Sequence, residues 1–289
     1  MSQDYAALII DLKKSRNYTK EDRNSIQYYI MDLIHLLNRL YHRDLVREVD
    51  FSAGDEVQGL FSSPEAAYLY YRMLSLWLHP IEIRAGIGVG GWDVQLDHKG
   101  TTGQDGPAYH NARDAIKHAD DSEGYPVLFL SGSHFDVTIN TIIGGTASIM
   151  AKQSVYQNQI MLITELLFPL CNYYVRAYDY VTPHDVELFL HEKCKLAHEM
   201  EKIMRPLPFD RLVHSFVEII DPINAEDIRE ETKFYITSGK QRGIPTRLAS
   251  IMDISRQTIE KTMKAGNIYT ARNMAIAAIN EMANIRWER

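Results

Sequence analysis

A short hairpin pattern between two helical patterns constrains the fold of this 289-residue chain more than any other feature. Strand-like residues occupy positions 45–51 and 57–61, and Ala53-Gly54 interrupts them. Because glycine tolerates the positive φ of a tight turn, this stretch predicts a β-hairpin. Asp55 and Glu56 follow the glycine, so two carboxylates would project from the hairpin tip. On its own, an acidic pair at such a position is typical of a solvated turn.

The patterns around the hairpin predict an α+β sandwich with a mixed sheet. An apolar run at 5–10 predicts a buried strand that ends at Asp11, and helical spacing follows over 19–41. Beyond the hairpin the predicted elements are a helix, a strand, a helix and a strand, over 63 to about 78, 81–89, 106 to about 119, and 126–130. Gly144-Gly145 predicts a turn near a domain boundary. We therefore predict a first domain over 1–135 and a helical domain over 150–289.

Two aspartates are candidate ligands of a divalent cation. The first strand and the hairpin are expected to be neighbours in the sheet, so Asp11 and Asp55 can meet at one edge. With the main-chain carbonyl of Leu12 they would form a hard oxygen site that suits Mg²⁺ or Mn²⁺. Such a site is typical of nucleotidyl transfer, for which Asp11, Asp55 and Glu56 are the candidate catalytic residues. The following polar segment could hold phosphates through Lys13, Lys14, Ser15 and Arg16.

Several motifs resemble known families. Ala53-Gly-Asp-Glu-Val57 and Arg84-Ala-Gly-Ile-Gly88 are similar to motifs of class III nucleotide cyclases and of diguanylate cyclase (GGDEF) domains. The chain is identified more closely as a member of the SatD family by Ile10-Asp-Leu-Lys-Lys-Ser-Arg16, Gly54-Asp-Glu-Val-Gln-Gly59 and Asp105-Gly-Pro-Ala-Tyr-His-x-Ala-Arg113.

The resemblance implies a ferredoxin-like, palm-type first domain that binds a nucleoside triphosphate or another nucleotide with Mg²⁺, followed by an all-α domain with a helix-turn-helix. It also implies a homodimer, and it makes Asn111 and Arg113 candidate nucleotide-binding residues. The sequence departs from the cyclase pattern at three positions. Phe51 stands where a base-reading lysine is usual, and His110 and Asp114 stand where the family has Asn and Arg.

A helix-turn-helix is predicted independently over about 244–266. Asp253 would occupy the tight turn, and Ser255 would cap the second helix. The exposed face of that helix would carry the residue types that contact bases and phosphates of double-stranded DNA, namely Arg256, Gln257, Lys261 and Lys264. Residues 238–273 contain seven Lys or Arg against two acids, although the whole chain has a net charge of −7. A short helix pair of this kind can also be a packing or dimer element.

The remaining features narrow the class of protein without assigning an activity. Two cysteines fit a reducing compartment, and no apolar run approaches a membrane span, so we expect a cytoplasmic protein with no membrane partner. A predicted helix over 185–204 carries His191, Cys194 and His198, which could reach a soft metal or simply face solvent.

Three hypotheses follow from these observations. The first is a regulator in which a Mg-nucleotide site is coupled to DNA binding. The second is an active, divergent nucleotide cyclase or nucleotidyltransferase that makes a cyclic nucleotide or a related signal. The third is an adaptor in which both sites are vestigial. The metal carboxylates, the altered base contacts and the basic C-terminal segment favour the first.

Overall fold

The computed structural model describes residues 4–96, 100–121, 125–171, 193, 221–225 and 243–285. They form a mixed α+β structure, as the sequence predicts. The strands are β1 Tyr5–Leu12, β2 Leu45–Ala53, β3 Glu56–Phe61, β4 Ile83–Gly90, β5 Val127–Leu130, β6 Leu170–Cys171 and β7 Ile223–Asn224. The helices are α1 Lys20–Leu40, α2 Pro64–Leu78, α3 Pro107–Asp121, α4 Asp136–Ala151, α5 Val155–Leu167, α6 Ile244–Met252, α7 Arg256–Ala265 and α8 Ile268–Ile285. Short 3-10 turns occupy Ser15–Asn17 and Thr101–Gly103. No helix within the described ranges is both long enough and apolar enough to cross a membrane.

The central sheet has five strands in the order β2-β3-β1-β4-β5. Strand β1 pairs antiparallel with both β3 and β4, and β5 is parallel to β4. The hairpin of β2 and β3 closes through Gly54, which has φ 64°, and Asp55. Glycine at the first position of a two-residue loop is the expected choice for such a turn. The first strand and the hairpin are therefore neighbours, as predicted.

The two faces of β1 pack against different elements because side chains alternate along a strand. Leu8, Ile10 and Leu12 belong to the large core that also contains α1 and α2. Ala7 and Ile9 face the opposite side and contact α3. Helix α3 lies very close to β4, since a Cβ added at Gly86 or Gly88 would run into the main chain of α3. Asp11 is two residues after Ile9 in the strand and therefore lies on the same α3 face.

The prediction of a turn at Gly144-Gly145 is wrong. Both glycines lie inside α4, and their lack of a side chain serves helix packing instead. A Cβ at Gly145 would meet Met274 of α8, and one at Gly144 would meet the ring of Tyr125. Small residues on one helix thus allow the close approach of another element.

The C-terminal helices pack on the same core as the sheet. Apolar residues from Ala6 to Ile285 form one cluster of buried side chains. Within it lies a buried ion cluster in which Glu165 of α5 contacts Arg72 of α2 and Arg272 of α8. The domain limits given above stay a prediction, but this packing joins α8 directly to the helices that cover the sheet.

Candidate functional site

An acidic site forms where β1 ends beside the hairpin. Asp11 lies opposite Arg84 in the antiparallel pairing of β1 with β4. The carboxylate accepts two hydrogen bonds through Oδ2, from Nε of Arg84 at 3.0 Å and from its Nη2 at 2.6 Å. Asp55 lies at the tip of the hairpin, half-buried. The pairing of Ile10 with Val57 brings this tip beside the end of β1.

The two aspartates interact electrostatically. Burial raises the pKa of Asp11, the hydrogen bonds from Arg84 lower it, and the negative charge of Asp55 raises it again. The net pKa lies above the ordinary value of 3.8 because burial and the neighbouring carboxylate outweigh the arginine. A cation close to Asp11, in addition to Arg84, would therefore stabilise the ionised form of this carboxyl group. The negative charge of Asp55 is thus close enough to Asp11 to affect its pKa, and their joint binding of a cation stays a prediction.

A second ion pair completes the polar cluster on the α3 face. Arg113 of α3 donates through Nη1 to Oε1 and Oε2 of Glu56, at 2.9 and 2.8 Å. The hydroxyl of Ser52 donates to Oε1 of the same carboxylate at 2.6 Å. Glu56 is thus fully engaged by protein groups, in contrast to Asp55. Of the three candidate catalytic residues, Asp11 and Asp55 are the better placed to bind a cation.

The predicted phosphate segment is only partly free to bind an anion. The main-chain N–H of Lys13 donates to the carbonyl of Glu82, and the ammonium of Lys14 lies 3.6 Å from the Glu82 carboxylate. Helix α1 carries two acids, Glu21 and Asp22, in its first turn. Because acids already occupy the positive end of that helix, its N-terminus disfavours phosphate. The lysine ammonium groups remain the candidate phosphate contacts; Ser15 and Arg16 form the 3-10 turn beside them.

Two other predicted site residues are Leu12, as a metal ligand, and Asn111, as a nucleotide contact. Leu12 is the last residue of β1 with its side chain buried in the large core, and the role of its main-chain carbonyl as a ligand stays a prediction. Asn111 donates from Nδ2 to the carbonyl of Val89 at 2.8 Å, five residues along β4 from Arg84. This bond ties α3 to the sheet. Asn111 therefore does not join the cluster that Arg113 helps to form.

The sequence reasoning missed Arg84 as a site residue. The sequence did offer a signal: Arg84 is the one charged residue in β4, which otherwise contains apolar residues and glycine. Arg84 lies directly opposite Asp11 in the strand pairing. The sequence reasoning also missed Gln58, which is 4% exposed and donates to the carbonyl of Thr101, while its Oε1 has no partner in the described part of the chain. Both side chains lie on the α3 face with Asp11 and Glu56.

The C-terminal helices show the predicted turn chemistry. Asp253 has φ 53° and ends α6, and the Ser255 hydroxyl accepts a hydrogen bond from the N–H of Thr258 to cap α7. Leu248, Ile259 and Met263 are buried, whereas Ala249 and Met252, predicted for the inner face of α6, are only partly covered. The four predicted DNA contacts are exposed: Arg256, Gln257, Lys261 and Lys264.

Several of the basic residues counted in the segment 238–273 are buried or paired with an acid, so fewer free positive charges face solvent. Arg272 is fully buried against Glu165, Arg247 pairs with Asp221, and Arg256 pairs with Glu260. Lys261 and Lys264 stay exposed. The predicted helix with His191, Cys194 and His198 lies outside the described residues. Within the described ranges, no group of three or more His, Cys, Asp or Glu side chains is arranged to hold a metal ion.

Comparison with known proteins matches this chain to one protein family. The sequence profile of the SatD family matches residues 5–180, which include every residue of the acidic site. No curated protein matches the chain. Among solved structures, a bacterial light-regulated adenylyl cyclase is similar over 45% of this chain and 76% of that chain, with 14% sequence identity and a TM-score of 0.32. A similarity this low supports no statement about activity.

Proposed function

This chain belongs to the SatD family, and we propose that it is a regulator whose acidic site binds a Mg-nucleotide and whose α7 face binds double-stranded DNA. The observation that carries the proposal is the position of Asp55 at the hairpin tip beside the end of β1, where its negative charge raises the pKa of Asp11. The strand order β2-β3-β1-β4, with antiparallel neighbours throughout, supports a ferredoxin-like palm beneath this site.

The donor set suits Mg²⁺ better than a metal that needs a complete protein cage. Mg²⁺ commonly takes one or two carboxylates and fills its other positions with water and substrate phosphates. Asp11 and Asp55 supply the two carboxylates, and Mn²⁺ accepts the same oxygen ligands. When bound, the ion supplies positive charge that offsets the negative charge of the nucleotide phosphates.

Two arginines beside the acidic residues, Arg84 and Arg113, are candidate contacts for the nucleotide phosphates. In the structure Arg84 is held by Asp11, and Arg113 is held by Glu56. If Asp11 held a metal ion, Arg84 would be available to bind a nucleotide phosphate, which a guanidinium matches in geometry. The lysines after β1, Lys13 and Lys14, add unspecific attraction for the same anion.

The DNA-binding part of the proposal depends on α7. Its buried side, Ile259 and Met263, packs on the core, and its opposite side presents Gln257, Lys261 and Lys264 to solvent. Amide and ammonium groups on one exposed helix face suit contact with base edges and phosphates in a major groove. The buried ion cluster of Arg72, Glu165 and Arg272 links α2, α5 and α8, and α8 also contacts α7.

The nucleotide claim is tested by calorimetry with each nucleoside triphosphate, in Mg²⁺ and in EDTA. We expect binding that requires the metal, and we expect Asp55→Asn to weaken it at least tenfold because one of two carboxylate ligands is lost. Asp32→Asn is the matched control, since Asp32 is an exposed aspartate on α1. Absence of metal-dependent binding for every triphosphate would reject the proposal and leave the adaptor hypothesis.

The enzyme hypothesis is supported by a specific feature, the two arginines that flank the paired carboxylates. Nucleotidyl transfer needs cations of this kind around the reacting phosphates. Chromatography of the same incubations separates the two functions. A cyclic or linked nucleotide that disappears with Asp55→Asn would establish the enzyme; unchanged triphosphate supports a binding role. Light scattering on these samples tests the proposed homodimer.

The DNA claim is tested by the salt dependence of duplex binding. Lys261→Ala combined with Lys264→Ala should weaken binding to all sequences and reduce the slope of log K against log salt by about 2. Lys20→Ala with Lys117→Ala removes the same charge from exposed positions on α1 and α3, and should change neither. Equal effects of the two double variants would show that α7 is not the contact face.

A further inference from the structure

A cavity of about 520 Å³ lies on the sheet face opposite the acidic site. It is bounded by α2, the start of β4, α4 and the start of α5. Ile83 lines it, while the neighbouring Arg84 points to the other face, toward Asp11. Its apolar wall includes Ile81 and Met150. The volume falls in the range of small-molecule sites in proteins.

Two amide side chains in this cavity have unpaired polar atoms. Asn158 of α5 is 1% exposed, and neither its Oδ1 nor its Nδ2 has a hydrogen-bond partner among the described residues. Gln153 is 6% exposed; its Nε2 donates to the carbonyl of Gly266, but its Oε1 has no partner. Buried amides are almost always paired, because an unpaired one loses its bonds to water without replacement. As placed, these atoms are covered by neighbouring groups, so a rotation of each amide would bring it to a ligand in the cavity, which would supply the missing partners.

The mouth of the cavity is positively charged. Lys13 and Lys152 line it, and neither pairs with a carboxylate among the described residues. The lining contains one acid, Glu82, and that carboxylate lies 3.6 Å from the ammonium of Lys14. An anionic group of a ligand would therefore bind at the mouth, away from the buried amides.

We propose that this cavity binds a nucleotide whose base presents an amino group beside a ring nitrogen, as adenine and cytosine do. The unpaired protein atoms are two acceptor oxygens and one NH₂ donor. An amino-substituted ring offers two N–H donors and an adjacent acceptor, which is the complement of that set. A side-chain amide recognises adenine through such a pair of hydrogen bonds. The phosphate binds Lys13 and Lys152 at the mouth.

This site differs from the Mg-nucleotide site, although Lys13 borders the cavity and is also a candidate phosphate contact of the acidic site. Its ligand needs no metal, because the described lining offers only the paired Glu82 as a carboxylate. Asp11 and Asp55 do not line it. Through Gln153 the cavity is one hydrogen bond away from Gly266, the residue that ends α7.

The test is calorimetry of the full-length chain with adenosine monophosphate (AMP) in EDTA. We expect AMP to bind without metal. Inosine monophosphate (IMP), which exchanges the amino donor for a carbonyl acceptor, should bind at least tenfold more weakly. Adenosine, which lacks the phosphate, should also bind more weakly than AMP. Equal affinities for AMP and IMP, or no binding of AMP, would overturn the proposal.

Variants assign the binding to the cavity. Asn158→Leu has nearly the same volume and should lower AMP affinity at least tenfold. Its melting temperature without ligand should be unchanged or higher, because no existing hydrogen bond is lost. Lys152→Ala should weaken AMP but not adenosine, whereas the matched Lys117→Ala should affect neither. Unchanged AMP affinity in Asn158→Leu would refute the site; if that variant fails to fold, unchanged affinity in Lys152→Ala does so.

The acidic-site variant separates this proposal from the previous one. Asp55→Asn should bind AMP in EDTA with wild-type affinity while it loses Mg-triphosphate. Loss of both ligands in this variant would assign AMP to the acidic site and remove the second site. Retention of AMP binding in a chain that binds no Mg-triphosphate would support the cavity and reject only the earlier proposal.

Discussion

Replacing Glu165 by glutamine tests whether the buried ion cluster holds the C-terminal helices on the sheet. Glu165 is 3% exposed and contacts two guanidinium groups, Arg72 Nη2 at 2.5 Å through Oε1 and Arg272 Nη1 at 2.8 Å through Oε2. Both arginines are buried as well. Without the carboxylate, these two buried positive charges lose the anion that contacts both of them. Removing one partner of a buried pair costs about 3–5 kcal/mol.

Urea denaturation followed by circular dichroism and tryptophan fluorescence measures this cost. We expect Glu165→Gln to lower the free energy of unfolding by about 3–5 kcal/mol, with coincident transitions for the two probes if the packing is cooperative. Glu260→Gln is the control, because Glu260 pairs with Arg256 on the surface of α7 and such a pair contributes about 0.5 kcal/mol or less. A loss below about 1 kcal/mol for Glu165→Gln would refute the role assigned to the cluster.

A triple replacement distinguishes the charge from the packing. Arg72→Met, Glu165→Leu and Arg272→Met together remove all three charges at similar volume. A buried ion cluster often contributes no more than well-packed apolar residues, so we expect the triple variant to be more stable than Glu165→Gln alone. If it is equally unstable, specific hydrogen bonds, such as that from Arg272 to the carbonyl of Phe168, carry the effect.

Three further predictions follow from the same packing and electrostatics. Gly88→Ala should destabilise the protein by about 1–3 kcal/mol in thermal unfolding, because its Cβ would meet the main chain of α3 at Ala112. Asp55→Asn should lower the pKa of Asp11 in an NMR carboxyl titration, since one of the groups that raise it is removed; an unchanged pKa would separate the two residues. Burial raises the pKa of Glu165, but Arg272 and Arg72 outweigh it and hold the pKa below its ordinary value of 4.5. The ionised carboxylate therefore stabilises the fold above pH 4.5, and this stabilisation is lost as the pH falls through the lower pKa of the folded state. In Glu165→Gln, the free energy of unfolding should depend less on pH in this acidic range.

The sequence predicted most of the sheet because local patterns determine it. The alternation of apolar residues, the glycine of the hairpin and the caps Thr19 and Ser63 act over a few residues, and the observed β1, α1, β2, β3 and α2 agree with the predicted positions. The failure at Gly144-Gly145 has the opposite cause. Gly144 packs against Tyr125 and Gly145 against Met274. Because Met274 is 129 positions further along the chain than Gly145, this contact leaves no signal in the local sequence.

The candidate site was predictable only in part for the same reason. The prediction that Asp11 and Asp55 lie at the same end of the sheet follows from the neighbouring positions of β1 and β3. The partners of the acidic residues do not follow from it. Arg84 reaches Asp11 because of the register of β4, and Arg113 reaches Glu56 because two glycines let α3 lie close to the sheet. Arg272 counted as a surface charge in the sequence, but it is buried against Glu165.

The central claim is that Asp11 and Asp55 hold one divalent ion together with nucleotide phosphates. The most direct measurement is anomalous diffraction at the manganese edge from crystals grown with Mn²⁺ and a non-hydrolysable nucleoside triphosphate. We expect one strong peak in contact with carboxylate oxygens of both aspartates and with phosphate oxygens, and no such peak in Asp55→Asn. A bound nucleotide with no metal peak between these two side chains, or a peak elsewhere in the molecule, would contradict the account.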